Sequence, residues 1–218
     1  MARQRTAMGE SAMNRIVEAT AELISRHGLS ATTLDDVVAV SGTSKGQVFH
    51  YFPGGKDELL LAVAQYEADR VRAVMNEWMP ELSSWLAWSQ WRDQLVDEYD
   101  MHGNDCPMVT LVVDLHRAGP GARPLIAETA GRLQSRIQSG IHQMQANGFI
   151  GAHVDADAIA HSLVAGIHGA TLLQLATGAD SHIGHVIDTA IEQLESTAPQ
   201  RTAVQPNMIA VEVIRVSA

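Results

Sequence analysis

The sequence predicts an all-α protein: an N-terminal three-helix unit built on a helix-turn-helix, then a larger helical unit for ligand binding and dimerisation. Three observations carry this. Apolar residues recur at three- and four-residue spacing along most of the chain, Gly and Pro interrupt that pattern at helix-length intervals, and no strand alternation occurs before the tail. Of the 218 residues, 46% are apolar, enough for one sizeable core or two small ones. The expected division is 1–55 for the helix-turn-helix unit with its arm, 56–196 for the larger unit, and 197–218 for a tail.

Residues 1–9 are polar and small and include Arg3 and Arg5, which predicts a disordered arm able to follow a minor groove. A long helix over about 13–27 ends at Gly28. Thr33 followed by Asp36 is a capping pair, and Leu34, Val37, Val38 and Val40 supply an apolar face two turns long. Gly42 can stop that helix in a left-handed conformation, and Ser44 caps the next, so the intervening turn has the length a helix-turn-helix requires. The second helix spans about 45–51, with Val48 and Phe52 inward and Lys45, Gly46, Gln47 and His50 outward.

Pro53, Gly54 and Gly55 end it, and Lys56 opens a long helix to Trp78, stopped by Pro80. Further helices are expected over 82–101, 106–116, about 124–147, from Asp155 or Asp157 to about 176, and 181–195. Residues 208–216 alternate as a lone strand or an extended arm lying on a partner subunit would.

The stretch 32–59 holds both lysines of the protein, and its second helix begins as a DNA-reading helix should. Gly46 has no side chain to hold the backbone away from a base edge. Lys45 can reach a guanine edge or a phosphate, and Gln47 a base or a phosphate.

A helix around 13–27, Gly28, Thr32-Thr33, Ser41-Gly42-Thr43-Ser44-Lys45-Gly46, Val48-Phe49-His50-Tyr51-Phe52 and Lys56-Asp57-Glu58-Leu59 together resemble a TetR-family transcriptional regulator. The resemblance implies an all-helical homodimer that blocks or modulates transcription and is released by a small ligand. It places Ser44, Lys45, Gly46 and Phe49 nearest the base edges, and Thr33, Gln47, His50, Tyr51 and Lys56 on phosphates. Two positions depart from the family pattern: Phe49 stands where Tyr is usual, and Thr43 where a buried aliphatic residue is common.

A net charge of -10 and a pI near 5.4 are unusual for a DNA binder. Distribution resolves the conflict. Up to Asp57, Arg3, Arg5, Arg15, Arg26, Lys45 and Lys56 balance Glu10, Glu18, Glu22, Asp35, Asp36 and Asp57, so the acidic excess lies beyond. Phosphates repel that acidic body and orient the neutral end toward DNA. A single cysteine excludes an intrachain disulfide framework, and no apolar stretch approaching ~18 residues is evident, so the expected setting is the cytoplasm without a membrane partner.

The last two helices, about 157–177 and 182–195, are the expected homodimer interface. Leu163, Ile167, Ala170, Leu173 and Leu175 are more apolar surface than one helix needs, Ile183, Val186, Ile187, Ala190, Ile191 and Leu194 give the last helix a wide stripe, and Gly166, Gly169 and Ala170 permit close approach. The middle helices are rich in Trp and Met, which suits an adaptable pocket for a small, largely apolar or amphipathic effector. Its candidate lining is Trp78, Trp85, Trp88, Cys106, Met108, His116, Met144 and His168.

Cys106 reads better as a small buried hydrophobe than as a redox switch. The histidine pairs lack carboxylate or cysteine companions at ligand spacing, so neither a metal nor another cofactor is expected. No nucleophile elbow, phosphate loop or dinucleotide fingerprint occurs, so no catalytic residue is assigned. The competing readings are a ligand-insensitive DNA binder and an enzyme using the pocket.

Overall fold

The computed structural model describes residues 7–102, 107–115, 121–178 and 182–198, and every regular element among them is helical. In chain order these are α1 (Ala7–His27), α2 (Leu34–Ser41), α3 (Lys45–Tyr51), α4 (Lys56–Trp78), α5 (Trp85–His102), α6 (Pro107–Val109), a π-helical turn (Thr110–Asp114), α7 (Ala122–Ala146), α8 (Ala156–Thr177) and α9 (His182–Glu195). The first six residues of the expected arm, Cys106, His116 and the alternating tail lie outside the described residues. The last three residues of the arm do not extend from the fold but form the first turn of α1.

Two reciprocal capping boxes set the helix-turn-helix. The Thr33 hydroxyl accepts from the Asp36 N–H at 3.3 Å, while the Asp36 carboxylate accepts from the Thr33 N–H at 3.2 Å. The Thr33 hydroxyl also donates to that carboxylate, and these bonds hold the Asp36 carboxyl below its usual range. Ser44 and Gln47 repeat the arrangement at the start of α3, with bonds of 3.2 and 2.9 Å. Each such cap stabilises its helix by about 1 kcal/mol.

Between the boxes, Gly42 takes φ 64°, the left-handed conformation that ends α2. Arg15 of α1 donates to the Ser41 carbonyl at 3.4 Å and helps satisfy that helix end. Val37 is 2% exposed and belongs to the core, whereas Val40 is 52% exposed; the apolar face of α2 is thus shorter than the sequence suggested.

Two apolar cores follow. The first gathers Ile16, Val17, Leu23 and Ile24 of α1, Val37, Val48 and Phe52, and Leu59, Leu60, Val63, Ala64 and Ala68 of α4; Leu115 and Ala122 complete it from farther along the chain. The second joins Met79, Leu82, Trp88 and Trp91 to Leu133, Ile137, Ile141 and Met144 of α7, Leu163 and Ile167 of α8, and Ile183, Ile187 and Leu194 of α9. α4 reaches both, since its Met75 packs against the second core. Arg136 of α7 fixes its far end by donating to the Met75 carbonyl at 2.6 Å, which also accepts the Met79 N–H, and to the carbonyl of the capping Met79 at 2.5 Å.

Several helix limits differ from expectation for local reasons. α5 starts at Trp85 rather than Leu82 because the Ser84 hydroxyl caps the Ala87 N–H at 3.2 Å, while Leu82 turns into the core before the helix begins. α7 begins two residues before Pro124, which the first turn tolerates because an N–H there would have no intrahelical partner, so the one proline lacks costs nothing. Asp155, not Asp157, caps α8, accepting from the Asp157 and Ala158 N–H groups at 3.1 Å.

The helix expected over 106–116 is a three-residue α-helical piece continuing into the π-helical turn. Contrary to the sequence reading, α8 is long and apolar enough to cross a bilayer by length and composition, with 33% of its most apolar stretch buried within the chain.

The last two helices also use their apolar residues differently from expectation. Leu163, Ile167 and Ala170 of α8, and Ile183, Ile187 and Leu194 of α9, are buried in this chain's own core. Gly166 permits close approach within one subunit: a Cβ there would lie 2.8 Å from Val186 Cγ1. On the outer side of α8, Ala165, Gly169, Leu172, Leu173 and Ala176 are exposed.

Candidate nucleic-acid interface and effector cavity

α3 stands on the first core through Val48 and the following Phe52, which leaves its N-terminal turn and outer side open. Ser44, Lys45, Gly46, Gln47, Phe49 and His50 are exposed there, with Thr33 and Lys56 exposed at the starts of α2 and α4. Tyr51 is half-buried against the first core, its ring edge-on to His50 at 5.1 Å. The nine residues proposed for DNA contact thus line the helix-turn-helix, though not all are equally free.

Ser44 and Gln47 bond to each other's backbone, and Thr33 bonds to Asp36. Lys45 Nζ lies 2.6 Å from Asp35 Oδ1, a pairing the sequence reading missed because α2 and α3 must first cross. Both partners are largely exposed, so the pair contributes little stability and can exchange for a phosphate. Phe49 is 54% exposed, an apolar ring available to a thymine methyl. Thr43, the other departure from the family pattern, lies 2.7 Å from the Ser41 hydroxyl through its own, a polar pair replacing an apolar contact.

A second site opens between α4, α5, α7 and α8. It is a partly open cavity of about 80 Å³, walled by Val71, Val74, Met75 and Trp78 of α4 and the following Met79, by Trp91, Leu95, Glu98 and Tyr99 of α5, and by Leu133, Ile167 and His168. Gln94 and Pro107 complete the described lining.

Trp78 and His168 of the sequence-derived set reach this cavity. Trp85, Trp88 and Met144 do not: Trp88 and Met144 are fully buried in the second core, where the Trp88 indole N–H donates to the Leu82 carbonyl at 3.1 Å, and Trp85 packs against that core. Cys106 and His116 lie outside the described residues, as does the Met108 side chain. Among the residues missed, Leu95, Glu98 and Tyr99 follow Trp91 at helical spacing; that periodicity was available in the sequence but obscured by the three-residue steps of the tryptophans.

The His168 ring is oriented by its own helix. Nδ1 lies 2.6 Å from the Val164 carbonyl, which can only accept, so the neutral ring presents Nε2 as an acceptor. Nε2 is buried without a hydrogen-bond partner. Below the cavity on α4, Glu67 is fully buried and ion-paired with Arg70 at 3.0 Å. Burial outweighs the arginine and raises its carboxyl to about 7.

An exposed, doubly capped α3 on a three-helix core defines a helix-turn-helix protein. Comparison with known proteins makes the class specific. Residues 16–63 match the family described as "Bacterial regulatory proteins, tetR family", and residues 86–190 match "Tetracyclin repressor-like, C-terminal domain". The chain belongs to the TetR family of bacterial regulatory proteins.

An uncharacterized HTH-type transcriptional regulator of Mycobacterium tuberculosis is 41% identical over 63 residues, 29% of this chain and 32% of that protein; the match therefore spans about a third of that relative. Another from Lactococcus lactis is 24% identical over 164 residues, covering 73% of this chain and 81% of its own. Among solved structures, a TetR-family transcriptional regulator from Agrobacterium tumefaciens superposes with a TM-score of 0.71 at 17% identity, covering 85% of this chain and 98% of its own.

Proposed function

We propose that the protein is a ligand-responsive repressor that binds a palindromic operator as a homodimer and leaves it when a small, largely apolar effector enters the cavity. The observation that carries this reading is the path of α4. Lys56 opens it beside α3, Leu59, Leu60, Val63, Ala64 and Ala68 lie in the first core, and Val71, Val74, Met75 and Trp78 wall the cavity.

A helix of 23 residues is about 34 Å long, so pressure on one end is delivered to the other. Drug-sized ligands need roughly 300 Å³ or more, so one entering a cavity of about 80 Å³ must displace its walls. Arg136 anchors the far end of α4, and a tilt about that anchor would carry α2 and α3 with it.

On DNA, Lys45 would exchange Asp35 for a phosphate or a guanine edge, with Lys56, Thr33, Gln47, His50 and Tyr51 on the backbone and Ser44, Gly46 and Phe49 toward the bases. The outer side of α8, with Leu172 and Leu173 among small residues, suits close approach of a second α8, with α9 beside it. Two subunits would place their α3 helices about 34 Å apart, in successive major grooves.

A mobility-shift assay with the DNA upstream of the protein's own gene tests the reading. A sequence-specific complex that an apolar effector dissolves is expected. Absence of any specific complex would reject DNA recognition, while a complex insensitive to every cavity-binding compound would leave a DNA binder without a ligand switch.

A further inference from the structure

The helix-turn-helix unit encloses a cavity of its own. It measures about 160 Å³, against about 80 Å³ for the effector cavity, and lies where α1, the α1–α2 connection, α2, α3 and the start of α4 converge. We propose that it is a binding site for an uncharged, apolar ligand the size of a single aromatic ring, separate from the effector cavity.

The inner wall is Val37, Val48, Phe52, Leu59 and Leu60, all buried. Thr33, Phe49 and Lys56 are its exposed members, and they are three of the nine residues proposed for DNA contact. An occupant would therefore lie directly behind the DNA-reading surface.

Size, polarity and charge each restrict the ligand. An apolar cavity of about 150 Å³ holds benzene, so one ring fits here without displacing the walls. The hydroxyls of Thr20 and Thr32 donate to the Ile16 and Gly28 carbonyls at 2.6 and 3.0 Å, and that of Thr33 donates to Asp36. These wall hydroxyls have no proton left for a trapped water, which needs two to four polar partners. An apolar occupant instead supplies the contacts that atoms bordering a void lack. A charged ligand would lose its hydration against the buried wall, where the one ionic side chain of the described lining, Lys56, stays exposed at the surface.

Methyl NMR spectra of the full chain, with valine and leucine labelled, locate the site during titration with toluene. The methyls of Val37, Val48, Leu59 and Leu60 should shift along one saturable curve, whatever those of Val71, Val74, Leu95 and Leu133 in the effector cavity do. All four tryptophans, Trp78, Trp85, Trp88 and Trp91, belong to α4 beyond the first core or to α5, so their emission should not follow that curve. Benzoate, of nearly the same size but charged, should act on these methyls at least about tenfold more weakly. Thr20→Ile enlarges one wall side chain and should weaken toluene binding here at least about fivefold. The toluene and benzoate titrations of the unaltered protein decide the matter if that variant does not fold.

Toluene shifts confined to the effector-cavity methyls, no shifts at all, benzoate binding as tightly as toluene, or unchanged toluene binding in folded Thr20→Ile would each overturn the inference.

Discussion

Glu67→Gln should make the protein more stable at mildly alkaline pH. Glu67 lies on α4 with 1% of its side chain exposed, and burial raises its carboxyl from the ordinary 4.5 to about 7 against the opposing pull of Arg70. A raised acid binds its proton more tightly in the folded state than in the unfolded one. Its contribution is therefore harmless below the unfolded value, becomes unfavourable as pH rises from about 4.5, and is fully unfavourable above about 7.

At 1.36 kcal/mol per pH unit, that difference amounts to about 3 kcal/mol. Gln keeps the shape and removes the charge, while Arg70, 43% exposed, remains hydrated at a cost of up to about 1 kcal/mol in lost pairing. The net gain near pH 8 is about 2 kcal/mol, or roughly 4–8 °C in Tm for a chain of this size. Thermal unfolding followed by circular dichroism at fixed protein concentration, from about pH 5 to pH 8, compares variant and parent so that other titrations cancel. The gap should widen as pH rises and vanish near pH 5. A variant less stable than the parent at pH 8, or a gap independent of pH, would refute the reasoning.

Replacing Lys45 or Lys56 with Ala should weaken operator binding and flatten the salt dependence of log K by about 0.9 each, read from titrations at several salt concentrations. Asp35→Asn should act oppositely, tightening binding about threefold, since it frees Lys45 and removes an acid facing the phosphates. Within α7, Gly140→Ala should cost about 1–3 kcal/mol because its Cβ would sit 2.5 Å from Leu82 Cβ and 2.9 Å from the Leu82 carbonyl oxygen. Gly131→Ala in the same helix meets nothing within 4 Å and should stabilise by about 0.5–1 kcal/mol, so chemical denaturation of the pair separates space from propensity. Leu173→Asp, at a position 53% exposed in the single subunit, should yield a folded monomer by sedimentation with much weaker operator binding; a stable dimer would place the interface elsewhere.

The sequence by itself determined the helix-turn-helix, the all-helical class and most helix limits. These depend on near neighbours in the chain: Thr33 reaches Asp36, Ser44 reaches Gln47, and Gly42 turns left-handed without help from distant residues. Even the family resemblance rested on contiguous motifs from the first quarter of the chain.

The remainder depended on how helices cross. The tryptophans at 85, 88 and 91 looked equivalent, but their three-residue steps rotate around α5, so Trp91 reaches the cavity while Trp88 fills the core and finds the Leu82 carbonyl. Gly166 looked like room for a partner subunit, yet α9 of the same chain packs over it through Val186. Lys45 acquired Asp35, and Glu67 acquired its burial, only when separate helices came together. Local hydrogen bonding sets backbone angles from a few adjacent residues, whereas a side chain's surroundings are set by segments tens of residues away; tertiary packing alone decides which side of each helix becomes core, cavity or surface.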